Sequence, residues 1–177
     1  LGFYADCVRK HLRDRGAGRR FLSKNAAFGA WIPALARTFP GARFLACVRE
    51  PEGALSSQLS SVEPGVRGFG GRIDGGGAPG RFLAWFAELY GALAEAAGRR
   101  DDARVILRED LRDHLEAAVR QAFRDLGIDL PPGLGLVLGE VSPASRAHRS
   151  DHRHRLENYG LTAEDMQGEL RNAYEEI

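Results

Sequence analysis

The feature that most constrains this chain is a short apolar run, residues 43–48, that lies between a turn and a helix start. The run reads Arg-Phe-Leu-Ala-Cys-Val and has the length of a strand. A continuous apolar run of this kind is typical of parallel strands that are covered on both faces. Pro40-Gly41 precedes it, and Pro51 fits the first position of a following helix. We therefore expect a buried strand that leads directly into a helix.

Neighbouring segments extend this pattern to an α/β fold. Residues 20–24 are a candidate strand, and the helical stretch 28–39 connects them to the apolar run. Strand, helix and strand at this spacing predict a βαβ unit with parallel strands and a right-handed crossover. A third strand is predicted at residues 104–107. Further helices are predicted at residues 3–15, 51–59, 79–97 and 110–126, and after Thr162, which we expect to cap the last helix.

The size and charge of the chain favour one domain without a polyanionic partner. Its 177 residues, of which 44% are hydrophobic, suffice for a single core. Lys and Arg (25) balance Asp and Glu (24), so nucleic acid is not an expected partner, and no apolar stretch is long enough to span a membrane. Cys7 and Cys47 lie far apart in apolar contexts, which predicts buried free thiols in a reducing compartment, the cytoplasm.

Two segments stand out as irregular. Residues 63–80 are rich in glycine and predict a flexible loop, which is either a lid or a plain insertion. The loop lacks a Gly-Lys-Ser/Thr ending and so is not a phosphate-binding P-loop. Residues 142–160 form a basic C-terminal segment, read either as a surface tail or as a cover over a ligand. This segment contains three potential metal ligands, His148, His152 and His154. Because no carboxylate or cysteine arrangement completes a site, no metal is predicted.

A candidate anion site follows from the ends of the predicted strands. Open parallel sheets bind ligands beyond the carboxyl ends of their strands. Lys24 ends one predicted strand and Arg49 ends the next, while Ser57 lies about two turns into the helix that starts at Pro51. A guanidinium, a hydroxyl and the free amides of a helix start are suited to a phosphate. The alternative is a structural or solvent-facing Arg49.

The order of several short motifs resembles the central signature of sulfotransferases that use 3′-phosphoadenosine 5′-phosphosulfate (PAPS). The signature has a lysine after a strand, a helix that ends in Phe-Pro, a second strand, and an Arg-acid-Pro with a serine eight residues after the arginine. The matching segments are Phe21-Leu22-Ser23-Lys24-Asn25, Phe39-Pro40-Gly41-Ala42-Arg43-Phe44, Val48-Arg49-Glu50-Pro51, Ser57, Leu107-Arg108-Glu109-Asp110-Leu111 and the stretch 152–161.

The resemblance implies a fold, a reaction and a set of site residues. The fold is a P-loop NTPase-like sulfotransferase fold, incomplete here, and the reaction moves a sulfuryl group to a hydroxyl or amine of a small molecule, lipid or carbohydrate. Arg49 and Ser57 would bind the donor's 3′-phosphate, and Lys24 would steady charge on the bridging oxygen. The basic segment would fold over the donor through Arg146, Arg149 and Ser150. No metal is required by this chemistry.

Departures from the family pattern limit what is carried over. Glu50 replaces the usual Asp or Asn, Arg108 replaces an aromatic residue, and Ala26 stands where some members have a catalytic histidine. The chain starts at Leu1 without the family's glycine-rich loop for the 5′-phosphosulfate, so we expect an N-terminally truncated domain with little activity alone. The alternatives are an inactive relative that acts as a nucleotide- or partner-binding module and, less favoured because no Walker lysine is visible, a kinase-like P-loop protein.

Overall fold

The structure is a computed structural model, and it describes residues 1–16, 18–73, 77–147 and 155–177. Its strands and α-helices are α1 (Gly2–Arg15), α2 (Ile32–Thr38), β1 (Phe44–Val48), α3 (Pro51–Gly68), α4 (Ala78–Arg99), β2 (Ala103–Leu107), α5 (Arg108–Asp113), α6 (Leu115–Asp125), α7 (Leu134–Ala147) and α8 (Glu169–Glu175). Short 3₁₀ helices cover Ala26–Trp31, Leu156–Tyr159 and Glu164–Met166. Among the described helices, none is long and apolar enough to cross a membrane.

Strands β1 and β2 form a parallel sheet that helices flank, which confirms the predicted α/β class. The register pairs Phe44 with Ala103 and Val48 with Leu107, so both strands end at the same edge. The connection between them runs through α3 and α4. We call the edge where the carboxyl ends of the two strands lie the carboxyl edge. Helices α3 and α5 both begin there.

The core lies between the sheet and helices α3, α4 and α8. Leu55 and Leu59 of α3 are fully buried, four residues apart on one face of the helix. Leu156 and Leu170 are buried in the same cluster. This packing fixes the rotation of α3 about its axis and therefore determines which residues of α3 face away from the core.

The predicted strand at residues 20–24 is wrong, and with it the first βαβ unit. Residues 19–25 have no regular structure, and Leu22 is 91% exposed. The segment is short and half polar, and it finds no pairing partner among the described strands, which a strand requires. The parallel pair is β1 with β2 instead, and the stretch 28–39 divides into a 3₁₀ helix and α2.

The glycine-rich loop predicted at residues 63–80 is shorter than expected. Helix α3 continues through Pro64 to Gly68, because Val62, two residues before the proline, packs against the core and Glu63 pairs with Arg67 at helical spacing. Helix α4 begins at Ala78, close to the prediction. The connection is therefore residues 69–77, of which 74–76 lie outside the described residues.

The C-terminal third also departs from the predictions in detail. The helix predicted at 110–126 is interrupted at His114 and forms α5 and α6. The first part of the basic segment is helical, because α7 extends to Ala147. Thr162 does not cap a long helix. Its amide and hydroxyl instead donate to Asp165, at 2.7 and 2.9 Å, and these bonds lower the pKa of that carboxyl group.

Both cysteines are free, as predicted, but the prediction that they are buried is wrong. Cys7 is exposed on α1. Cys47 and Leu45 lie on one face of β1, where Leu45 is 40% exposed. Ile106, which pairs with Cys47, is buried on the same face, so the cover on this face lies over β2 and leaves β1 exposed. Partial burial still raises the pKa of the Cys47 thiol. The apolar run therefore predicted the strand correctly, but not its coverage on both faces.

Candidate functional site

Five side chains meet at the carboxyl edge, and we call them the carboxyl-edge cluster: Arg49, Glu50, Tyr90, Glu109 and Tyr174. The register of the sheet places the residues after Val48 beside those after Leu107. The Tyr90 hydroxyl donates a hydrogen bond to the Arg49 carbonyl oxygen at 2.6 Å. Burial and then the charge of Glu50 raise the pKa of Tyr90, with Tyr174 and Glu109 contributing further. The ring centroids of Tyr90 and Tyr174 lie 6.1 Å apart.

Glu50 joins Arg49 to the first turn of α3. Its Oε2 accepts a hydrogen bond from the Gly53 amide at 2.6 Å, which makes Glu50 the N-cap of the helix. Its Oε1 accepts from Arg49 Nε at 3.1 Å. Glutamate in place of the family's usual Asp or Asn therefore still caps the helix, and it also holds the arginine.

The ion pair leaves Arg49 available to a ligand. The side chains of Arg49 and Glu50 are 37% and 41% exposed, so the carboxylate is not a buried partner. Exposed ion pairs of this kind contribute only about 0–1 kcal/mol. Among hydrogen bonds between described residues, the guanidinium uses Nε alone. A phosphate that offers paired acceptors can therefore compete for the guanidinium at small cost.

Ser57 lies on the same side of α3 as the Arg49 guanidinium. The guanidinium lies against Gly53, since an added Cβ there would be 2.6 Å from Arg49 Cζ. Ser57 follows Gly53 by four residues and so occupies the same helical face, away from Leu55 and Leu59. Ser57 is half-buried. The structure therefore brings Arg49 and Ser57 to one face of one helix.

Lys24 lies apart from this group. It is exposed, in the irregular segment that precedes the first 3₁₀ helix. The Asn25 side chain caps that helix by accepting from the Ala27 amide at 2.9 Å, and the Tyr4 hydroxyl donates to Ser23 at 2.9 Å. Neighbours on both sides thus hold the backbone at Lys24. No hydrogen bond or ion pair links Lys24 to the carboxyl-edge cluster within the described residues.

The structure describes only one of the three predicted residues of the basic segment. Arg146 is exposed in the last turn of α7, a helix that packs against α5 at the carboxyl edge. Arg149 and Ser150 lie outside the described residues, as do His148, His152 and His154. In the part of the chain that the structure describes, no group of three or more side chains is arranged to hold a metal ion.

Sequence reasoning did not assign roles to Tyr90, Tyr174 and Glu109. Tyr90 belongs to an aromatic stripe that the sequence predicts as core, which is confirmed, and its buried hydroxyl in addition bonds to the Arg49 carbonyl oxygen. Glu109 is the acid of the Arg-Glu-Asp-Leu motif, and its Oε2 is buried without a hydrogen-bond partner among the described residues. Such atoms are uncommon in folded proteins and often mark functional positions. For Glu109, its place in this motif was the feature of the sequence that could have marked it as a site residue.

Comparison with known families gave a match over most of the chain. A family model described as "Sulfotransferase family" matches residues 3–132. The matched region includes Lys24, Arg49 and Ser57, and it ends before Arg146. Neither the curated proteins nor the solved structures gave a match to this chain.

Proposed function

Because this chain belongs to the sulfotransferase family, we propose that it binds PAPS and moves the sulfuryl group to a hydroxyl or amine acceptor. Family membership indicates a transferase of the sulfotransferase type. The choice of PAPS as donor, and of a small molecule, lipid or carbohydrate as acceptor, belongs to the proposal. So does a cytoplasmic location, which the free, exposed thiols favour because exposed thiols persist in reducing compartments.

The observation that carries the proposal is the position of Arg49 and Ser57 on one face of α3. The Arg49 guanidinium lies against the first turn of this 18-residue helix, and Ser57 follows one turn later on the same helical face. We assign the 3′-phosphate of the donor to this place, since the guanidinium offers paired donors and the helix start favours an anion. The partly exposed ion pair with Glu50 is the contact that the phosphate would replace.

The proposed chemistry needs positioning and cationic donors. In sulfuryl transfer the bond between sulfur and the bridging phosphate oxygen breaks while the acceptor oxygen or nitrogen bonds to sulfur and loses its proton. A loose in-line transition state of this type carries negative charge on the equatorial and leaving oxygens, and cationic donors that face these oxygens stabilise it. We assign Lys24 to the bridging oxygen. Arg146, Arg149 and Ser150 are proposed to close over the donor, and no metal enters the scheme.

A second candidate function is a nucleotide-binding module that performs no transfer. The observation that favours it is the exposed Lys24, which forms no bond with the carboxyl-edge cluster in the described structure. An assay that follows transfer of labelled sulfate from PAPS to a panel of hydroxyl and amine acceptors separates the two functions. Transfer that Lys24→Ala abolishes supports the enzyme. Tight binding of the nucleotide without transfer supports the module.

Calorimetry with two nucleotides tests the phosphate site. We expect the wild-type chain to bind adenosine 3′,5′-bisphosphate more tightly than adenosine 5′-monophosphate, because only the former has the 3′-phosphate. Arg49→Ala should remove most of this preference, a loss of roughly 30-fold that corresponds to about 2 kcal/mol for a charge-assisted phosphate contact.

Arg67→Ala is the matched control, since Arg67 is exposed at the far end of the same helix. It should leave both affinities unchanged. A bisphosphate preference that persists in Arg49→Ala would refute the assignment of the 3′-phosphate to this helix start.

A further inference from the structure

Gly53 occupies a helical position where glycine has no conformational advantage. It lies in the first turn of α3, and it is not among the glycines with positive φ. Glycine within a helix is less favourable than alanine, because it loses more backbone freedom on folding. A reason for glycine at this position must therefore come from its surroundings.

The surroundings of Gly53 are the ends of two side chains. An added Cβ would collide with Arg49 Nη2 and with Glu50 Oε1, and would lie 2.6 Å from Arg49 Cζ. These three atoms are its nearest neighbours, and each is at the far end of a flexible side chain. A methyl group would thus displace the guanidinium and the carboxylate and leave the backbone in place.

The contrast with Gly65 isolates this effect. Gly65 lies in the same helix, and an added Cβ there meets nothing within 4 Å. The two glycines therefore differ in which atoms occupy the space where a side chain would be. At Gly53 that room is filled by the Arg49–Glu50 pair.

We propose that Gly53 is a positioning residue for the phosphate site. It keeps the first turn of α3 bare, so that the Arg49 guanidinium lies against the helix on the face of Ser57, where Glu50 holds it through Nε. This proposal rests on the proposed function, since the guanidinium is the group that the 3′-phosphate would meet. Gly53 acts through Arg49 and touches no ligand itself.

The test compares the preference for adenosine 3′,5′-bisphosphate over adenosine 5′-monophosphate in four proteins: the wild-type chain, Gly53→Ala, Gly65→Ala and Arg49→Ala. We expect Gly53→Ala to lose roughly tenfold of that preference, as a misplaced charge-assisted contact would. Its affinity for the monophosphate should stay unchanged. Gly65→Ala should match the wild type in both.

Two further measurements distinguish a positioning role from a merely structural one. They are the urea midpoint of Gly53→Ala and the coupling between Gly53→Ala and Arg49→Ala. The urea midpoint of Gly53→Ala should stay close to that of the wild type, because the helix preference of alanine offsets the weakening of the Glu50 cap when its carboxylate is displaced. A clearly lower midpoint, or failure to fold, would show that the methyl displaces the backbone and would overturn the proposal. In the double variant with Arg49→Ala, Gly53→Ala should cost no further preference, and an additive loss would also overturn it.

The outcomes distinguish this inference from the proposed function. If the wild type binds the two nucleotides equally, the phosphate site is wrong and the role of Gly53 falls with it. If the wild type shows the preference, Arg49→Ala loses it and Gly53→Ala keeps it, only the positioning role of Gly53 is wrong.

Discussion

At the scale of single residues, hydrogen bonds of a hydroxyl and a carboxyl group hold the junction between β1 and α3. Glu50 caps α3 and holds Arg49, and the Tyr90 hydroxyl holds the Arg49 carbonyl oxygen at 2.6 Å. Burial and the nearby charge of Glu50 keep the Tyr90 hydroxyl protonated, since both raise its pKa. A protonated hydroxyl can donate to a carbonyl, whereas a phenolate cannot.

Tyr90→Phe tests this contact at neutral and at high pH. The substitution removes one hydrogen bond and should lower the free energy of unfolding by about 1 kcal/mol near pH 7. Because the folded-state pKa of Tyr90 lies above the unfolded value of about 10, the unfolded protein ionises first, and the advantage of the wild type should shrink as pH rises above 10. Urea unfolding across this pH range measures both effects.

The control is Tyr174→Phe, since the Tyr174 hydroxyl forms no hydrogen bond within the described residues. Its cost near pH 7 should be smaller than that of Tyr90→Phe. An equal cost for the two variants would argue that the hydrogen bond from the Tyr90 hydroxyl adds nothing to stability.

At the scale of elements, α3 links the core to the candidate site. Leu55 and Leu59 turn one face of the helix into the core, and Gly53 and Ser57 consequently share the opposite face. The start of the helix is fixed separately by Pro51 and by the Glu50 cap. Position and rotation together place Ser57 on the side of α3 against which the Arg49 guanidinium lies.

Leu55→Ala should destabilise the protein strongly, because it leaves a cavity at a position with no exposed surface. We expect a loss of about 2–5 kcal/mol, against under about 1 kcal/mol for Leu45→Ala, which removes a partly exposed side chain of the same type. Chemical denaturation of both variants measures the difference. Similar losses would contradict the assignment of Leu55 to the core and of Leu45 to an exposed face of β1.

At the scale of the whole molecule, the two faces of the described sheet are covered unequally. Helices α3, α4 and α8 enclose one face. On the other face α6 packs against β2, where Ile106 is buried, whereas Leu45 and Cys47 of β1 are exposed. The carboxyl edge lies at the end of this sheet, where α3 and α5 begin, so that the site adjoins both the core and solvent.

Thiol labelling of the native protein reports on the exposed face of β1. In a Cys7→Ser variant, we expect Cys47 to react with a thiol reagent without denaturant, because it is exposed. Its raised pKa lowers the thiolate fraction, so the rate should be below that of a free thiol near pH 8 and should increase at higher pH than usual. Reaction only after addition of denaturant would show that the face is covered.

Local chemistry predicted the elements that depend on it. The apolar run predicted β1, and residues 104–107 predicted most of β2. Prolines marked the starts of α3 and α4. The motif order indicated the sulfotransferase family, which the family match confirms. Residues 20–24 failed as a strand, because strand pairing requires a partner that local pattern does not reveal.

The sequence by itself therefore determined the α/β class, the junction between β1 and α3, and the candidate residues Arg49 and Ser57. Only the tertiary structure decided that Tyr90 bonds to the Arg49 carbonyl group, that the guanidinium lies on Gly53, and that Cys47 is exposed. The reason is physical: propensity and capping act between residues near in sequence, whereas burial, pairing and side-chain contacts depend on which distant segments meet.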